Sequence, residues 1–392
     1  MLRLAIVIYS QSYYYMKLAR IIFTCFCLLM SAGYLAGRDS LMFRHVSHRI
    51  SAEARPTYNI PTHGFYRGYN DKNQAIPSAG AIHLKYGFSL NQESRMGSLY
   101  PTAYQGIGIG VQSFYHHTMT GTPILLYIYQ GSRIADISDK VSIGYEWNLG
   151  ASYGWKINEV ISSLWNIYIN VGIPFTWHIS PMWEIFLGPE FTHFSNGDTS
   201  FPNGGANTVG CRIGLTAKIH EQKDIKSPGK AFFIKENITE KNTLRERISY
   251  DLTIYGAWRA DRTTDEKGLK IINKAFPIAG LTFNPLYSCN RYFSVGPAID
   301  IMYDSSATHN PSPQFINQTA GGISARGELL MPFISINLGV GYGFSHNERL
   351  KGFYTTYNLK LFISKKLYLN IGYRLSSQQY RHNLMFGMGI RL

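Results

Sequence analysis

The sequence predicts an all-β fold, a transmembrane antiparallel β-barrel of roughly 12–14 strands. Three observations favour it: long runs that alternate between apolar and polar residues, an unusual composition, and a C-terminal segment that alternates to its last residue. The 392 residues include 28 Tyr, 22 Phe and 37 Gly, but only 16% are charged. Few charges with many aromatic residues are typical of strands that face lipid.

The clearest strand runs from Trp165 to Trp177, where every odd position is apolar and the even positions include Asn166, Asn170 and Thr176. A period of two gives a strand one apolar and one polar face. The same pattern recurs in residues 141–153, 334–344 and 367–375. Strands of soluble sandwiches have about five or six residues, whereas membrane strands need about 9 to 11. We therefore expect the large residues to face lipid and the polar residues to face the lumen.

The C-terminal segment supports the same interpretation. Its apolar row is Leu384, Phe386, Met388, Ile390 and Leu392. The segment resembles the terminal strand signal that the barrel-assembly machinery reads, although Leu392 stands where phenylalanine is usual. That machinery is therefore an expected partner, and the bacterial outer membrane is the expected location.

Residues 1–36 have the pattern of a leader and secretory signal peptide. Met16 begins a basic stretch, an apolar core runs from Ile21 to Met30, and small residues follow. Because this unit begins cleanly at Met16, the true start is either Met1 or Met16.

The rest of the chain divides by composition. Residues 37–78 are polar, contain proline and have no period, which predicts an N-terminal periplasmic arm. Residues 79–392 are expected to form the barrel, interrupted by a polar insertion at 220–245. The mature chain keeps Cys211 and Cys289. In an oxidising compartment they either form a disulfide or stay unpaired in different strands.

One strand carries polar residues on its apolar row. From Trp183 to Phe191 the odd positions are apolar. His193 and Ser195 are the next two residues on the same row, and both are polar. Asn207 begins the apolar row of the next strand, within reach of His193. Polar groups that face hydrocarbon cost free energy, so this pair indicates either a function or a position at the level of the lipid headgroups. A serine, a histidine and a group that orients the histidine are the parts of an acyl-transfer triad.

A strand end leading into an Asn-Gly turn explains the same residues without chemistry. Counting strands back from a periplasmic C-terminus places the 196–206 connection on the outer side of the membrane. A nucleophile there would meet lipid of the outer leaflet.

The string His193-Phe-Ser-Asn196, followed by Pro202-Asn203, Gly205 and position 207, resembles the signature of the lipid A 3-O-deacylase (PagL) and acyloxyacyl hydrolase-like outer-membrane family. The resemblance implies a barrel serine esterase, a carboxylic ester hydrolase that removes an ester-linked fatty acyl chain from lipid A of lipopolysaccharide. It implies no cofactor and no metal.

By the same resemblance, Ser195 is the nucleophile, His193 is the general base, and Asn196 supports the oxyanion or the local turn. The family pattern has glutamate where this chain has Asn207. An amide orients a histidine but does not stabilise an imidazolium as a carboxylate does. Asp198 in the following loop is the alternative acid.

The competing hypothesis is a non-catalytic outer-membrane barrel, either a channel or a structural protein, because about fourteen strands enclose a water-filled lumen. A phospholipase that acts on glycerophospholipids is the third hypothesis. The net charge of +14 comes from scattered Lys and Arg without a stacking or helix motif, which predicts no nucleic-acid partner. His116 and His117 are adjacent and would point to opposite faces of a strand, so they do not predict a metal site.

Overall fold

The computed structural model describes residues 46–90, 95–219, 247–265, 268–308, 317–348, 350–377 and 382–392. The signal peptide expected in residues 1–36 and the insertion expected at 220–245 lie outside these ranges. Within them the chain is almost entirely antiparallel β structure, which confirms the predicted all-β barrel class. No described helix is long and apolar enough to cross a membrane. The short helical segments are Gly64–Arg67, Arg95–Leu99, His117–Thr120 and Ser305–Thr308.

The first barrel is built from the N-terminal strands. They are β1 (Val46–Ile60), β2 (Ser78–Leu90), β3 (Tyr104–Ser113), β4 (Gly121–Ser138), β5 (Val141–Trp155), β6 (Trp165–Gly172), β7 (Phe175–His178), β8 (Trp183–Ser195) and β9 (Ala206–Ile219). Apart from β6 and β7, strands that follow one another in the chain pair with each other, and the pairing of β1 with β9 closes the ring. Strands β6 and β7 both lie between β5 and β8. They form one strand interrupted at Pro174, which has no amide hydrogen for the ladder.

The second barrel is a separate closed ring. Its strands are β10 (Ile248–Asp265), β11 (Gly268–Ser288), β12 (Phe293–Asp304), β13 (Thr319–Met331), β14 (Ile334–Phe344), β15 (Gly352–Phe362), β16 (Leu367–Ser376) and β17 (Asn383–Arg391). The pairing of β10 with β17 closes it. The expectation of a single ring of roughly 12–14 strands is therefore wrong. Alternation identifies a strand and its faces, but it does not show which two strands close a ring.

For the described residues 46–78 the expected periplasmic arm is wrong, because β1 is a full member of the first ring. Its register with β9 runs from His48 opposite Ile219 to Ile60 opposite Asn207. The outward side chains of β1 include Ala52, Ala54 and Pro56, and the buried ones include Glu53 and Arg55. Because these outward residues are small, the two faces of β1 differ little in hydrophobicity, and the sequence shows no clear period of two.

The sequence pattern does not reveal strand β4 for the opposite reason, because both of its faces are apolar. Ile124 and Leu126 face outward, whereas Leu125, Tyr127 and Tyr129 are buried in the lumen. A strand with apolar residues on both faces has no hydrophobic alternation, and length and flanking turns are its only signals.

The lumen of the first barrel is filled by a buried ion-pair network. Lys85 Nζ and Arg212 Nη1 each lie 2.7 Å from Glu146 Oε1. Arg55 Nη2 lies 2.6 Å from Glu53 Oε2, and Glu53 also pairs with Lys85. Charges that are buried on this scale need such partners, because an unpaired charge is very costly away from water.

The lumen of the second barrel has the same character. Lys360 Nζ lies 2.6 Å from Asp251 Oδ2 and 2.5 Å from Glu328 Oε2. Arg326 Nη2 lies 2.7 Å from Asp300 Oδ1. A cavity of about 20 Å³ remains among these side chains. That volume is near the minimum for one water molecule, so the described side chains leave little open space in this part of the lumen.

Cys211 on β9 and Cys289 after β11 are free thiols in the structure, so the disulfide that the sequence left open is not formed.

Candidate active site

The candidate residues lie at the end of β8, on the outer wall of the first barrel. Along β8 the exposure of side chains alternates strictly, with Phe191 39% exposed and Thr192 and Phe194 buried. His193 and Ser195 continue the outward row and are half-buried. The pleat of the strand thus holds an imidazole and a hydroxyl on the same, apolar side of the wall.

His193 is joined to the neighbouring strand through Asn207. The two residues face each other in the register of β8 and β9. His193 Nδ1 and Asn207 Oδ1 are 2.7 Å apart. Because an amide oxygen only accepts, the proton lies on Nδ1 and Nε2 keeps its lone pair. The amide therefore selects the tautomer in which Nε2 acts as a base.

Ser195 is held differently. Its Oγ accepts a hydrogen bond from the Gly197 amide at 3.0 Å. Among the described residues, no hydrogen bond joins the Ser195 hydroxyl to the His193 imidazole. Catalytic hydrogen bonds are often long before a substrate binds. Ser195 faces Ile167 and His193 faces Ile169 on β6, so apolar side chains surround the pair on the wall.

Asn196 turns inward and organises the loop between β8 and β9. Its buried side chain donates to the Ser200 carbonyl at 2.9 Å and to Ser162 Oγ at 3.1 Å. Its backbone amide donates to Asn203 Oδ1 at 3.1 Å. These contacts match the expected role of Asn196 in supporting the turn. They do not match a role at the oxyanion, because its side chain is buried in the loop and does not lie on the outer wall with Ser195.

Gly205 has a backbone that favours glycine. Its φ of +63° lies in the left-handed region, and a Cβ there would lie 2.5 Å from the Phe194 carbonyl oxygen. Tyr66 Oη donates to the Gly205 carbonyl at 2.7 Å. The motif has glycine at this position because the chain passes so close to the β8 backbone that a Cβ does not fit.

Asp198 contacts its own loop and the second barrel. Its carboxylate accepts from Asn203 Nδ2 at 2.9 Å, and its carbonyl accepts from the Ala260 amide of the second barrel at 3.0 Å. The carboxylate also interacts with His382. Burial lowers the pKa of His382, and the Asp198 charge opposes this only in part. Asp198 is not hydrogen-bonded to His193 in the part of the chain that the structure describes.

Sequence reasoning missed three supporting residues of this loop, namely Tyr66, Ser162 and Ser200. Tyr66 falls in the segment interpreted as an arm, and the two serines are ordinary loop residues. Ser162 Oγ and Ser200 Oγ are 2.6 Å apart across two loops. No fixed spacing in the sequence signals such a contact.

Two closed antiparallel rings with apolar outer walls and charged, filled interiors define an outer-membrane β-barrel protein. Residues 248–392 match the family model described as "Acyloxyacyl hydrolase, C-terminal domain". This match confirms the resemblance to acyloxyacyl hydrolase-like outer-membrane proteins, and with it the bacterial outer-membrane location. The match covers the second barrel, whereas the His-x-Ser-Asn string lies in the first, so two separate parts of the chain carry the resemblance.

No curated protein matches the chain significantly. Among solved structures, the Neisserial surface protein A (NspA) is 10% identical, with a TM-score of 0.30, and the match covers 44% of this chain and 96% of that one. An outer membrane channel from Pseudomonas putida F1 is 8% identical, with a TM-score of 0.21, over 88% of this chain and 94% of that one. Likenesses this weak add nothing about function.

Proposed function

We propose that the chain is an outer-membrane serine esterase that removes an ester-linked fatty acyl chain from lipid A of lipopolysaccharide. The observation that supports it best is the 2.7 Å contact between His193 Nδ1 and Asn207 Oδ1 on the outer wall, with Ser195 on the same row. The match of residues 248–392 to an acyloxyacyl hydrolase C-terminal domain supports a hydrolase of this class.

In this proposal the Ser195 hydroxyl attacks the ester carbonyl, and His193 Nε2 takes its proton. His193 then gives the proton to the departing alkoxide, which leaves an acyl group on Ser195. Water, deprotonated by His193, attacks the acyl-serine and releases the fatty acid. Asn207 holds the imidazole in the tautomer that both steps need.

The position of the site favours a lipid as substrate. The outward row that ends in His193 and Ser195 is flanked by apolar residues. Ile169 lies opposite His193 and Val209 lies opposite Phe191, and they are 42% and 43% exposed. An ester buried in a membrane reaches such a wall from the side. A water-soluble substrate would have to approach through the lipid, where its polar groups lose their hydration.

The Asn207 amide carries no charge, so the imidazolium that forms in each step is less stabilised than it would be beside a carboxylate. We therefore propose a slow enzyme. The same feature favours the second candidate, a non-catalytic barrel with a structural role. The buried ion pairs that occupy the described lumens of both barrels count against the channel version of that candidate.

The test is mass spectrometry of lipid A from cells that express the wild type, Ser195→Ala or Thr355→Ala. Thr355 is an outward hydroxyl residue on β15 of the second barrel and serves as the matched control. Acyl loss in the wild type and the control, but not in Ser195→Ala, is the expected result. Identical full acylation in all three would favour the non-catalytic barrel, and conductance in planar bilayers would then test for a pore.

A further inference from the structure

A second serine–histidine–carboxylate arrangement lies at the opposite end of the first barrel. Ser142 on β5, His178 at the end of β7 and Glu184 on β8 come together inside the lumen. Ser142 Oγ lies 2.9 Å from His178 Nε2, and His178 Nδ1 lies 2.8 Å from Glu184 Oε1. Both contacts of a triad are therefore formed, each through the nitrogen that a triad uses.

The carboxylate fixes the direction of these hydrogen bonds. An ionised Glu184 only accepts, so His178 Nδ1 carries the proton and Nε2 is left to accept from the Ser142 hydroxyl. Glu184 is kept ionised by Arg49 at 3.1 Å and Lys218 at 2.6 Å. At this end of the barrel the orienting group is a charged acid, and the serine and histidine are already in contact.

These three residues line a cavity of about 110 Å³ at the end of the lumen. The charged side chains around it are Arg49, Arg133, Lys218 and the single carboxylate Glu184. Arg49 and Lys218 pair with Glu184, and Arg133 pairs with Asp136. The guanidinium and ammonium groups of this lining favour a ligand that brings its own negative charge. The volume suits a small molecule and excludes a lipid with several acyl chains.

The cavity is also distant from Ser195. Glu184 and Ser195 stand eleven positions apart on the same strand, which corresponds to about 36 Å at the usual rise of an antiparallel strand. One substrate does not reach both places, so any activity here is independent of the proposed lipid esterase.

We propose that Ser142, His178 and Glu184 form a second hydrolytic site, which cleaves small carboxylic esters that carry an anionic group. The Ser142 oxygen forms a bond to the ester carbonyl carbon while its proton passes to His178 Nε2. The bond to the alkoxide breaks, and the alkoxide takes that proton and leaves as an alcohol. Water then loses a proton to His178 Nε2 and attacks the carbonyl carbon of the acyl-serine. The bond from that carbon to Ser142 Oγ breaks, Ser142 Oγ takes the proton back from His178, and a carboxylic acid leaves.

Another lumen serine provides the matched control. Ser51 on β1 and Ser142 are each 3% exposed. Ser51 Oγ contacts the Thr216 hydroxyl at 2.8 Å and no imidazole. Ser51→Ala thus removes the same buried hydroxyl from the same barrel without touching the triad.

The experiment uses the full chain, purified in detergent, in a Ser195→Ala background. Its probes are a 4-nitrophenyl monoester of a dicarboxylic acid and a fluorophosphonate that labels activated serines. We expect hydrolysis and labelling of the Ser142 peptide in this background and in Ser51→Ala, and at least about a 100-fold lower rate in Ser142→Ala. A neutral ester of the same size should react more slowly.

Ser142→Cys keeps a side chain of similar size beside His178 and guards against loss of folding in Ser142→Ala. Its thiol should be alkylated by iodoacetamide faster than that of Ser51→Cys. An unlabelled Ser142 peptide, equal rates in the Ser142→Ala and Ser51→Ala proteins, or equal alkylation of the two cysteines would each overturn the proposal. Because Ser195 is absent throughout, none of these results depends on the lipid esterase.

Discussion

Gly197 of the first barrel and Leu384 of the second are in direct contact. A Cβ placed on Gly197 would lie 2.7 Å from Leu384 Cγ. Leu384 belongs to the outward row of β17, yet it is only 6% exposed because the loop between β8 and β9 covers it. The loop that begins beside Ser195 is therefore supported by the wall of the other barrel.

Leu384→Ala should lower the proposed hydrolysis of lipid A, because Gly197, whose amide donates to Ser195 Oγ, loses its support. A misplacement of about 1 Å near a reacting group reduces a rate by up to about 100-fold. Rates in lipid vesicles would measure the loss, and amide hydrogen exchange of residues 196–203 should become faster.

Met388→Ala is the control for that variant. Met388 lies on the same outward row and is 58% exposed to lipid. Equal exchange and equal rates in Leu384→Ala and Met388→Ala would show that the contact does not position the loop.

Asn207→Glu should raise the lipid A deacylation rate by at least about tenfold, because a carboxylate stabilises the His193 imidazolium. Asn207→Ala should lower the rate, since nothing then orients the imidazole. The comparison is made by the time course of fatty acid release. A rate in Asn207→Glu at or below the wild-type value would argue against His193 as the base.

Gly205→Ala should destabilise the loop and the barrel by about 1–2 kcal/mol, since an L-residue at a positive φ is strained. The added Cβ would also approach the Phe194 carbonyl. Urea unfolding followed by tryptophan fluorescence measures the change. Gly204→Ala tests the neighbouring position, where the nearest atom, 2.4 Å from a Cβ, belongs to the Val160 side chain and not to the backbone. A smaller cost is expected there, and the reverse order would contradict the argument.

Glu146→Gln should destabilise the first barrel by about 3–5 kcal/mol, because it leaves Lys85 and Arg212 short of a counter-charge inside the lumen. The partly exposed pair of Arg133 and Asp136, 3.2 Å apart at the end of the lumen, is the comparison. Asp136→Asn should cost less than about 1 kcal/mol. Urea unfolding of both variants in detergent would reveal the contrast, and similar costs would mean that the lumen network is solvated.

His382 predicts a pH dependence of stability. Its Nδ1 accepts from the Ser376 amide at 3.1 Å, and burial lowers its pKa in the folded state. The unfolded state therefore binds more protons below about pH 6.5, and stability falls as the pH drops through that value. In unfolding experiments between pH 5 and 8, His382→Gln should reduce the dependence of the unfolding free energy on pH. An unchanged dependence would show that other groups cause it.

The sequence predicted the faces of the strands better than their partners. The outward row from Trp183 to Ser195 is visible as a period of two, and the short hairpin to β9 brings Asn207 opposite His193. Ring closure depends on pairs far apart in the chain, such as β1 with β9, and the pattern within a strand carries no record of them. The Ser142 cluster was invisible for the same reason, since three strands contribute one residue each.

The contact at Leu384 also has a consequence for biogenesis. β17 is the strand that closes the second ring onto β10, so the support for the Ser195 loop is complete only when that ring has closed. A chain that is only partly inserted would lack this support for the loop beside Ser195. On the proposed function, hydrolysis of membrane lipids would then begin only after the second ring has closed.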